Sequence, residues 1–395
     1  MPGQFVKIFN GNIIAPEGIA NGGTLLVKNK KIIEVSKRDI EVPGAIEIDA
    51  KGMYISPGFI DLHVHGGGGH DFMDGTKEAF LNVAKLHAQY GTTAITPTTL
   101  SCSHEELVHI LKTYEEVKTE ETGGAQFLGL HLEGPYFAMN QRGAQDPRFI
   151  RNPDPTEYEA ILAQFNSIVR WSAAPELDGA LKFGRYLQSK NILPALAHTD
   201  AIFEDIITGF INGYTHATHL YSGMNGVVRR GPKRYAGAVE AAFLIDDMTV
   251  EIIADGIHLP PPLLKLVYKI KGPYKTALIT DAMRGAGMPE GESILGGKQN
   301  GLPVIIEDGV AKLPDRSAYA GSVATANTLI QNMTQLAEIP LQDAVAMLST
   351  TPAAIMGLST KGALAAGKDA DVVLFDNNIK VHMTMVEGNI VFNNN

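Results

Sequence analysis

The feature that most constrains the fold is a series of short apolar runs, rich in β-branched residues, that alternate with helical stretches through the middle of the chain. Alternating strands and helices are typical of parallel βα units. Eight such units in about 290 residues predict an α/β fold, the (β/α)8 TIM barrel. The eight runs are Gly58–Val64, Thr93–Thr98, Phe127–Glu133, Ile168–Ala174, Ile192–His198, Tyr214–His219, Thr249–Ala254 and Thr276–Thr280.

Two positions carry signals for the start of a helix. Ser103 is followed by Glu106, and Thr156 is followed by Glu159, at the spacing of a capping box. We therefore expect helices to begin directly after Ser103 and Thr156.

The two ends of the chain are rich in short strands separated by turns. One of these turns is expected at Gly11–Asn12. We predict that residues 1–56 and 355–395 together form a small β-sandwich domain. The barrel would then be the catalytic domain, residues 57–354.

One irregularity lies inside the predicted barrel, at about residues 290–320. The sequence VIIEDGVAKL indicates a β-hairpin that turns at Asp308–Gly309. Long insertions in βα loops often act as lids or substrate loops. A hairpin without such a role is the alternative.

Composition excludes several classes of function. The 395 residues include 43 Asp plus Glu and 33 Lys plus Arg, so the formal charge is −10 and no basic stripe is available for nucleic acid. One or two arginines in a pocket could still bind a small anion.

No apolar run is long enough to predict a membrane span. The single cysteine, Cys102, allows no internal disulfide, and we expect a cytoplasmic protein.

Residues that bind metals or transfer protons recur at the ends of the predicted strands. The carboxyl ends of the strands form the active site of a (β/α)8 barrel, so residues at these ends should converge. Four strand ends carry metal-ligand residues, and a fifth carries a lone carboxylate. The residues concerned are His63, His65, Glu133, His198, His219 and Asp281.

Each of these residues also has an ordinary structural explanation. His63 and His65 would point to the same side of a strand and could share one divalent ion, or their spacing could be incidental. Glu133 ends an apolar run and needs a positive partner there, either a metal ion or an arginine. His198 and His219 could be buried core histidines, but their shared strand-end position favours metal ligands.

Asp281 follows the apolar strand ALIT. It could cap the next segment. Beside a metal ion it would instead be the general base, which takes a proton from water and passes it to the leaving nitrogen.

His131 shares a strand face with Glu133 and could support it, whereas the role of His216 stays open. No phosphate-binding GxxxxGK[ST] loop and no PCxxC deaminase signature occur.

The chain resembles the amidohydrolase superfamily and, within it, the N-acetylglucosamine-6-phosphate deacetylase family. The resemblance extends from about Phe5 to Val391 and rests on the motifs PGFIDLHVHG, HLEGP, AHT, THATHLY, ADGIH, LITDA and GKDADVVLFD. It implies a barrel with a small β-sandwich, a divalent metal centre, and release of acetate from N-acetylglucosamine 6-phosphate to leave glucosamine 6-phosphate.

The resemblance also implies roles for individual residues. Glu133, His198 and His219 would be the principal metal ligands, and Asp281 would be the catalytic acid and base. Because this chain also has the HVH histidine pair, a second ion bridged by Glu133 is implied. Zn, Fe, Co and Mn all suit such ligands, so the identity of the ion stays open.

For the substrate, the resemblance places Arg230 and His258 at the sugar phosphate with help from a neighbouring subunit. We therefore expect a homodimer with a shared active site. An arginine suits phosphate because its planar group donates paired hydrogen bonds, and a solvated RRGPKR loop is the alternative. Ser222, Gly223 and Gln145 depart from residues found in other family members and could shift the preference among amino-sugar phosphates.

Other functions remain alternatives. N-acetylgalactosamine 6-phosphate is a second candidate substrate, and the same scaffold could hydrolyse N-acyl amino acids or cyclic amides. A non-catalytic scaffold is a remote alternative, because such a protein would be expected to have lost metal ligands.

Overall fold

The computed structural model describes residues 3–15 and 17–394, which form 25 strands and 10 α-helices. The strands are β1 (Phe5–Ala15), β2 (Gly18–Lys28), β3 (Lys31–Ser36), β4 (Ile46–Asp49), β5 (Tyr54–Pro57), β6 (Phe59–Val64), β7 (Gly66–Gly67), β8 (His70–Asp71), β9 (Thr92–Thr99), β10 (Gln126–Phe127), β11 (Leu130–Glu133), β12 (Ile168–Ala173), β13 (Leu193–Leu196), β14 (His216–Ala217), β15 (Val228–Arg230), β16 (Lys233–Tyr235), β17 (Thr249–Ile253), β18 (Thr276–Ile279), β19 (Gly291–Leu295), β20 (Leu302–Glu307), β21 (Val310–Lys312), β22 (Tyr319–Ser322), β23 (Val372–Phe375), β24 (Val381–Val386) and β25 (Asn389–Asn393). The helices are α1 (Lys77–Ala88), α2 (His104–Val117), α3 (Pro155–Gln164), α4 (Ala180–Ser189), α5 (Phe203–Ile211), α6 (Ala238–Leu244), α7 (Pro261–Lys271), α8 (Ala326–Gln335), α9 (Leu341–Leu348) and α10 (Thr350–Ile355).

Eight parallel strands form the barrel, in the order β6, β9, β11, β12, β13, β14, β17 and β18. Asp281 N donates to His63 O at 2.9 Å, and His65 N donates to Ala282 O at 2.8 Å, which joins the last strand to the first. Both faces of the strands are covered, so all six residues of β6 and all eight of β9 are buried. The predicted TIM barrel is confirmed.

The strands from the two ends of the chain form one eight-stranded sheet. Its order is β25, β24, β23, β5, β1, β2 and β3, with β4 beside β1. β5 joins the two halves, because it pairs with β1 on one edge and with β23 on the other. The small β-sandwich expected from both ends is therefore present. The boundaries given above for the two domains stay a prediction.

Of the two helix starts predicted from capping signals, one is confirmed. The Ser103 hydroxyl accepts a hydrogen bond from Glu106 N at 3.2 Å and caps α2. The expectation at Thr156 is wrong, because Asp154 caps α3 and accepts from Thr156 N at 2.8 Å. Pro155 occupies the first helical position, where its fixed φ favours the helix and its missing N–H is no loss.

No helix in the described part of the chain is long and apolar enough to cross a membrane.

The insertion after the eighth barrel strand is a four-stranded antiparallel sheet, β19–β22. The predicted hairpin is confirmed within it, because Glu307 pairs with Val310 across Asp308 and Gly309. The φ angles of these two turn residues are 52° and 74°, as a two-residue type I′ turn requires.

The turn predicted at Gly11–Asn12 is wrong, because both residues lie inside β1. The pairing of β1 with β2 shifts register on both sides of Gly11, which marks an irregularity rather than a chain reversal. A Cβ atom on Gly11 would lie 2.5 Å from the Ile55 side chain, so the glycine permits close packing there.

Candidate metal centre and substrate pocket

The six residues predicted at strand ends meet at the carboxyl end of the barrel. Three of them have a left-handed backbone: φ is 46° at His198, 27° at His219 and 49° at Asp281. This conformation strains residues that carry a Cβ and persists only where the surroundings enforce it, which is common at functional sites.

Glu133 lies at the centre of the group. Its Oε1 is 2.9 Å from His219 Nε2, 3.3 Å from His198 Nε2 and 3.6 Å from His63 Nε2. Its Oε2 is 3.4 Å from His65 Nε2. Four imidazoles therefore present the same nitrogen to one buried carboxylate.

Asp281 contacts the histidine pair and also lines a cavity. Its Oδ1 is 3.1 Å from His65 Nε2 and 3.4 Å from His63 Nε2, and these two nitrogens are 3.2 Å apart. Its carboxylate thus lies between the histidines and the space open to a substrate.

The pKa shifts show that Glu133 and Asp281 stabilise positive charge on the groups beside them. Burial lowers the pKa of His63, but Glu133 and Asp281 outweigh burial and raise it to about 10. Burial raises the pKa of the Glu133 carboxyl, but His63 and the hydrogen bonds from His198 and His219 bring it well below its usual range. The pKa of Asp281 is also lowered, since the histidine pair outweighs burial. Cations beside these two carboxylates are therefore strongly favoured.

The ligand atoms fit divalent metal ions. His63, His65 and Glu133 form one group, and Glu133, His198 and His219 form another; in each group the ligand atoms lie within 4.8 Å of one another. Imidazole and carboxylate are ligands for borderline divalent ions such as Zn. Glu133 belongs to both groups and would be shared between them if each group held an ion.

Backbone carbonyls fix two of the imidazoles. His65 Nδ1 is 3.2 Å from Thr98 O, and His198 Nδ1 is 2.7 Å from Gln141 O. A carbonyl only accepts hydrogen bonds, so each of these imidazoles carries a proton on Nδ1 and, when neutral, leaves Nε2 free as a metal ligand.

A cavity of about 280 Å³ opens onto the carboxylates and imidazoles. Four of the five predicted substrate residues line it: Gln145, Ser222, Gly223 and His258. Its remaining lining includes Tyr221 and four residues from the segment that holds the inserted sheet: Leu295, Ala318, Tyr319 and Gly321.

Gln145 is buried and bound at both ends of its amide. Its Nε2 donates to Glu133 Oε2 at 2.8 Å, and its Oε1 accepts from Ser101 N at 2.8 Å. Gln145 thereby orients the Glu133 carboxylate as well as lining the cavity. Gly223, with φ of 58°, allows its loop to approach His198, because a Cβ there would lie 2.6 Å from His198 Nδ1.

His258 is held from two sides. Its Nδ1 is 2.6 Å from Asp255 Oδ2, and Asp255 Oδ1 accepts from the His258 backbone N at 2.8 Å. The Tyr319 ring packs against the imidazole with 4.7 Å between ring centroids. A histidine fixed in this way at the wall of a cavity is suited to bind a polar ligand group.

Arg230 is not among the described residues that line the cavity of their own chain. It ends β15, which pairs with β16 in an exposed hairpin, and its guanidinium packs 5.5 Å from the centre of the Tyr235 ring. A single chain therefore does not bring Arg230 to His258.

The wall from the inserted sheet and the acid behind His258 were missed from the sequence. The hairpin signal at Asp308–Gly309 pointed to the insertion, but strand register decides whether Tyr319 reaches the cavity, and one turn does not define it. Asp255 precedes His258 by three residues and follows the last residue of β17 by two, so its position just after a strand was a usable signal.

A (β/α)8 barrel with histidines and carboxylates at its carboxyl end is the architecture of a metal-dependent hydrolase. The profile of the amidohydrolase family matches residues 54–391, and the chain belongs to this family.

Within that family the chain belongs with the N-acetylglucosamine-6-phosphate deacetylases. It is 32% identical to the enzyme of that name from Lysinibacillus sphaericus, with 92% of each chain covered. It is 31% identical to the N-acetylgalactosamine-6-phosphate deacetylase of Escherichia coli O157:H7, with 91% of this chain and 90% of that one covered. Its fold matches a mutant N-acetyl-D-glucosamine-6-phosphate deacetylase from Mycobacterium smegmatis in complex with N-acetyl-D-glucosamine 6-phosphate, at a TM-score of 0.91, 27% identity, and coverage of 99% and 100%.

Proposed function

We propose that the protein hydrolyses N-acetylglucosamine 6-phosphate to glucosamine 6-phosphate and acetate. The observation that carries this proposal is one cavity lined both by Glu133 and Asp281 and by the fixed imidazole of His258. A phosphosugar bound there can place its acetamide at the carboxylates and its phosphate at His258. The names of the relatives from Lysinibacillus sphaericus and Mycobacterium smegmatis support this substrate.

A bound divalent ion would polarise the acetyl carbonyl and lower the pKa of the attacking water. The proton is transferred by a side chain of the protein, that of Asp281. Asp281 accepts a proton on its carboxylate as the water oxygen bonds to the acetyl carbon. It then donates this proton to the amide nitrogen as the C–N bond breaks, so that the amine leaves neutral.

Five residues would hold the ions: His63, His65, Glu133, His198 and His219. The carbonyls of Thr98 and Gln141 fix the imidazoles of His65 and His198, and the amide of Gln145 fixes the Glu133 carboxylate, so these three need little reorganisation during the reaction. One or two ions of Zn, Fe, Co or Mn suit this set.

We also propose a cytoplasmic homodimer in which Arg230 of the partner subunit reaches the phosphate beside His258. The exposed hairpin that carries Arg230, together with the 60% exposed side chain of Val227 next to it, supports such a contact. Ser222 and Gly223 would contact the sugar. Neither nucleic acid nor a membrane is proposed as a partner.

N-acetylgalactosamine 6-phosphate is the second candidate substrate. The name of the Escherichia coli O157:H7 relative supports it, as do the departures at Ser222, Gly223 and Gln145. The difference between the two sugars is one hydroxyl orientation, which residues of the cavity wall can sense.

Acetate release from both phosphosugars and from unphosphorylated N-acetylglucosamine tests the proposal. The enzyme would be assayed as purified, after chelation, and after addition of Zn, Fe or Co. Fast, metal-dependent release that requires the phosphate and prefers the gluco sugar is expected. A preference for the galacto sugar would establish the second candidate, and no release with any of the metals would refute both.

A further inference from the structure

A buried ion pair lies inside the barrel beside the proposed metal centre. Arg170 in β12 and Glu251 in β17 are both fully buried. Arg170 Nη1 donates to Glu251 Oε1, and Nη2 donates to Oε2 at 2.7 Å. Arg170 Nη2 also donates to Thr218 Oγ1 at 2.7 Å. Removing two charges from water costs free energy that their pairing does not always recover. Stabilisation of the fold is therefore a weak explanation for the Arg170–Glu251 pair.

Glu251 connects this pair to the histidines. Its Oε2 lies 3.8 Å from His63 Nδ1, whereas His63 Nε2 faces Glu133 and Asp281. In the described part of the chain, His63 Nδ1 is buried and has no hydrogen-bond partner. The other buried group at this carboxylate is His216, whose Nε2 lies 3.2 Å from Oε1.

Metal binding would require an acceptor at His63 Nδ1. A neutral imidazole that binds an ion through Nε2 carries its proton on Nδ1, and a buried N–H without an acceptor is unfavourable. His65 and His198 direct Nδ1 to backbone carbonyls. For His63, the oxygen in that position belongs to Glu251, and a shift of less than 1 Å would bring the two atoms within the hydrogen-bond range.

We propose that Glu251 is a positioning residue of the metal centre: its carboxylate accepts a hydrogen bond from the Nδ1–H of His63 and so orients Nε2 towards the ion. Arg170 holds the Glu251 carboxylate in place and balances its charge. The inference rests on the proposed role of His63 as a ligand. Since His63 belongs to one of the two ligand groups, Glu251 acts on that position and not on the one formed with His198 and His219.

Titration of the chelated enzyme with Co²⁺, followed by visible absorbance and equilibrium binding, tests this inference without any activity measurement. The wild type is expected to bind two Co²⁺ per chain. Glu251→Gln should bind the first ion with unchanged Kd and the second about 10- to 100-fold more weakly, with an altered spectrum for the second ion.

Glu251→Gln leaves Arg170 buried without its counter-charge and could fail to fold. The double variant Arg170→Met/Glu251→Leu removes both charges and also the acceptor that a glutamine amide would keep, so it should show at least the same weakening of the second ion. Glu157→Gln is the matched control, because it breaks a glutamate–arginine pair with Arg151 at α3, and it should bind both ions as the wild type does.

The outcomes separate this inference from the proposed ligand set. An unchanged Kd for the second ion in the Glu251 variants would overturn the inference and leave the ligands as assigned. A wild type that binds only one Co²⁺, with a Kd that His63→Ala leaves unchanged, would remove His63 from the ligands, and the inference would fall with it.

Discussion

At the scale of single residues, the two carboxylates of the site have different surroundings. Four imidazole nitrogens converge on Glu133, and Gln145 donates a further hydrogen bond to it. Asp281 contacts the histidine pair through Oδ1, and the residue also lines the cavity. Glu133 is therefore suited to hold position, and Asp281 to exchange a proton.

Replacing Asp281 with asparagine should separate chemistry from structure. Asparagine keeps the size of the side chain but cannot take up the proton, so kcat for acetate release should fall by about 10²- to 10⁴-fold. Metal content and the thermal unfolding midpoint should stay close to the wild type. An enzyme with normal kcat after this change would remove Asp281 from the mechanism.

Tyr319 should contribute to substrate affinity through its ring. Loss of the ring in Tyr319→Ala removes an aromatic contact with His258 and part of the cavity wall, so KM should rise about 2- to 12-fold with a smaller change in kcat. Tyr319→Phe keeps the ring and should retain the wild-type KM. Equal KM values for all three proteins would show that the wall does not meet the sugar.

At the scale of elements, the starts of α2 and α3 show how local signals compete. Ser103 and Thr156 both precede a glutamate by three residues, but only Ser103 caps its helix. At α3, Asp154 lies two residues before Thr156 and Pro155 sets the first helical φ, so the chain enters the helix earlier.

This difference predicts unequal effects of two similar substitutions. Ser103→Ala removes a side-chain acceptor from the first turn of α2 and should lower the free energy of unfolding by about 1 kcal/mol. Thr156→Ala leaves the Asp154 cap intact and should change it by less than about 0.5 kcal/mol. Urea unfolding of both variants measures this difference, and a larger loss in Thr156→Ala would contradict the assignment of the caps.

Most of the barrel could be predicted because each strand leaves a short apolar run and the carboxyl ends of parallel strands share one edge. The same rule predicts from the sequence that His63, Glu133 and His198 lie close together. Contacts that depend on register or on another chain could not be predicted. The position of Tyr319 depends on four paired strands, and Arg230 lies in a separate two-stranded hairpin and is not among the residues that line the cavity of its own chain.

At the scale of the whole molecule, the proposed dimer predicts complementation between two variants that are each impaired. Arg230→Ala should raise KM for the phosphosugar much more than for unphosphorylated N-acetylglucosamine. Mixed dimers of Arg230→Ala and Asp281→Asn chains would each contain one complete site, because the first chain keeps Asp281 and receives Arg230 of the partner subunit. Activity should therefore return on mixing after subunit exchange. No recovery in verified mixed dimers would place Arg230 outside the partner's site.

Metal removal should lower the stability of the whole chain. The buried carboxylates and imidazoles are brought together only in the folded state, so ions that bind there favour folding by about 4 kcal/mol at a thousandfold excess over Kd. Chelation should lower Tm, and Zn or Co should restore it in a concentration-dependent way. A Tm that is indifferent to chelator and metal would argue against ions at this site.

The sheet built from both ends of the chain ties folding to the schedule of synthesis. β5 leads directly into the first barrel strand, but its neighbour β23 follows only about 300 residues later. At ribosomal rates this interval is roughly 15 to 60 s, during which β5 has an unpaired edge. β5 leaves the ribosome before the barrel strands and is thus among the last strands to complete its pairing, so its edge needs protection from other nascent chains in the meantime.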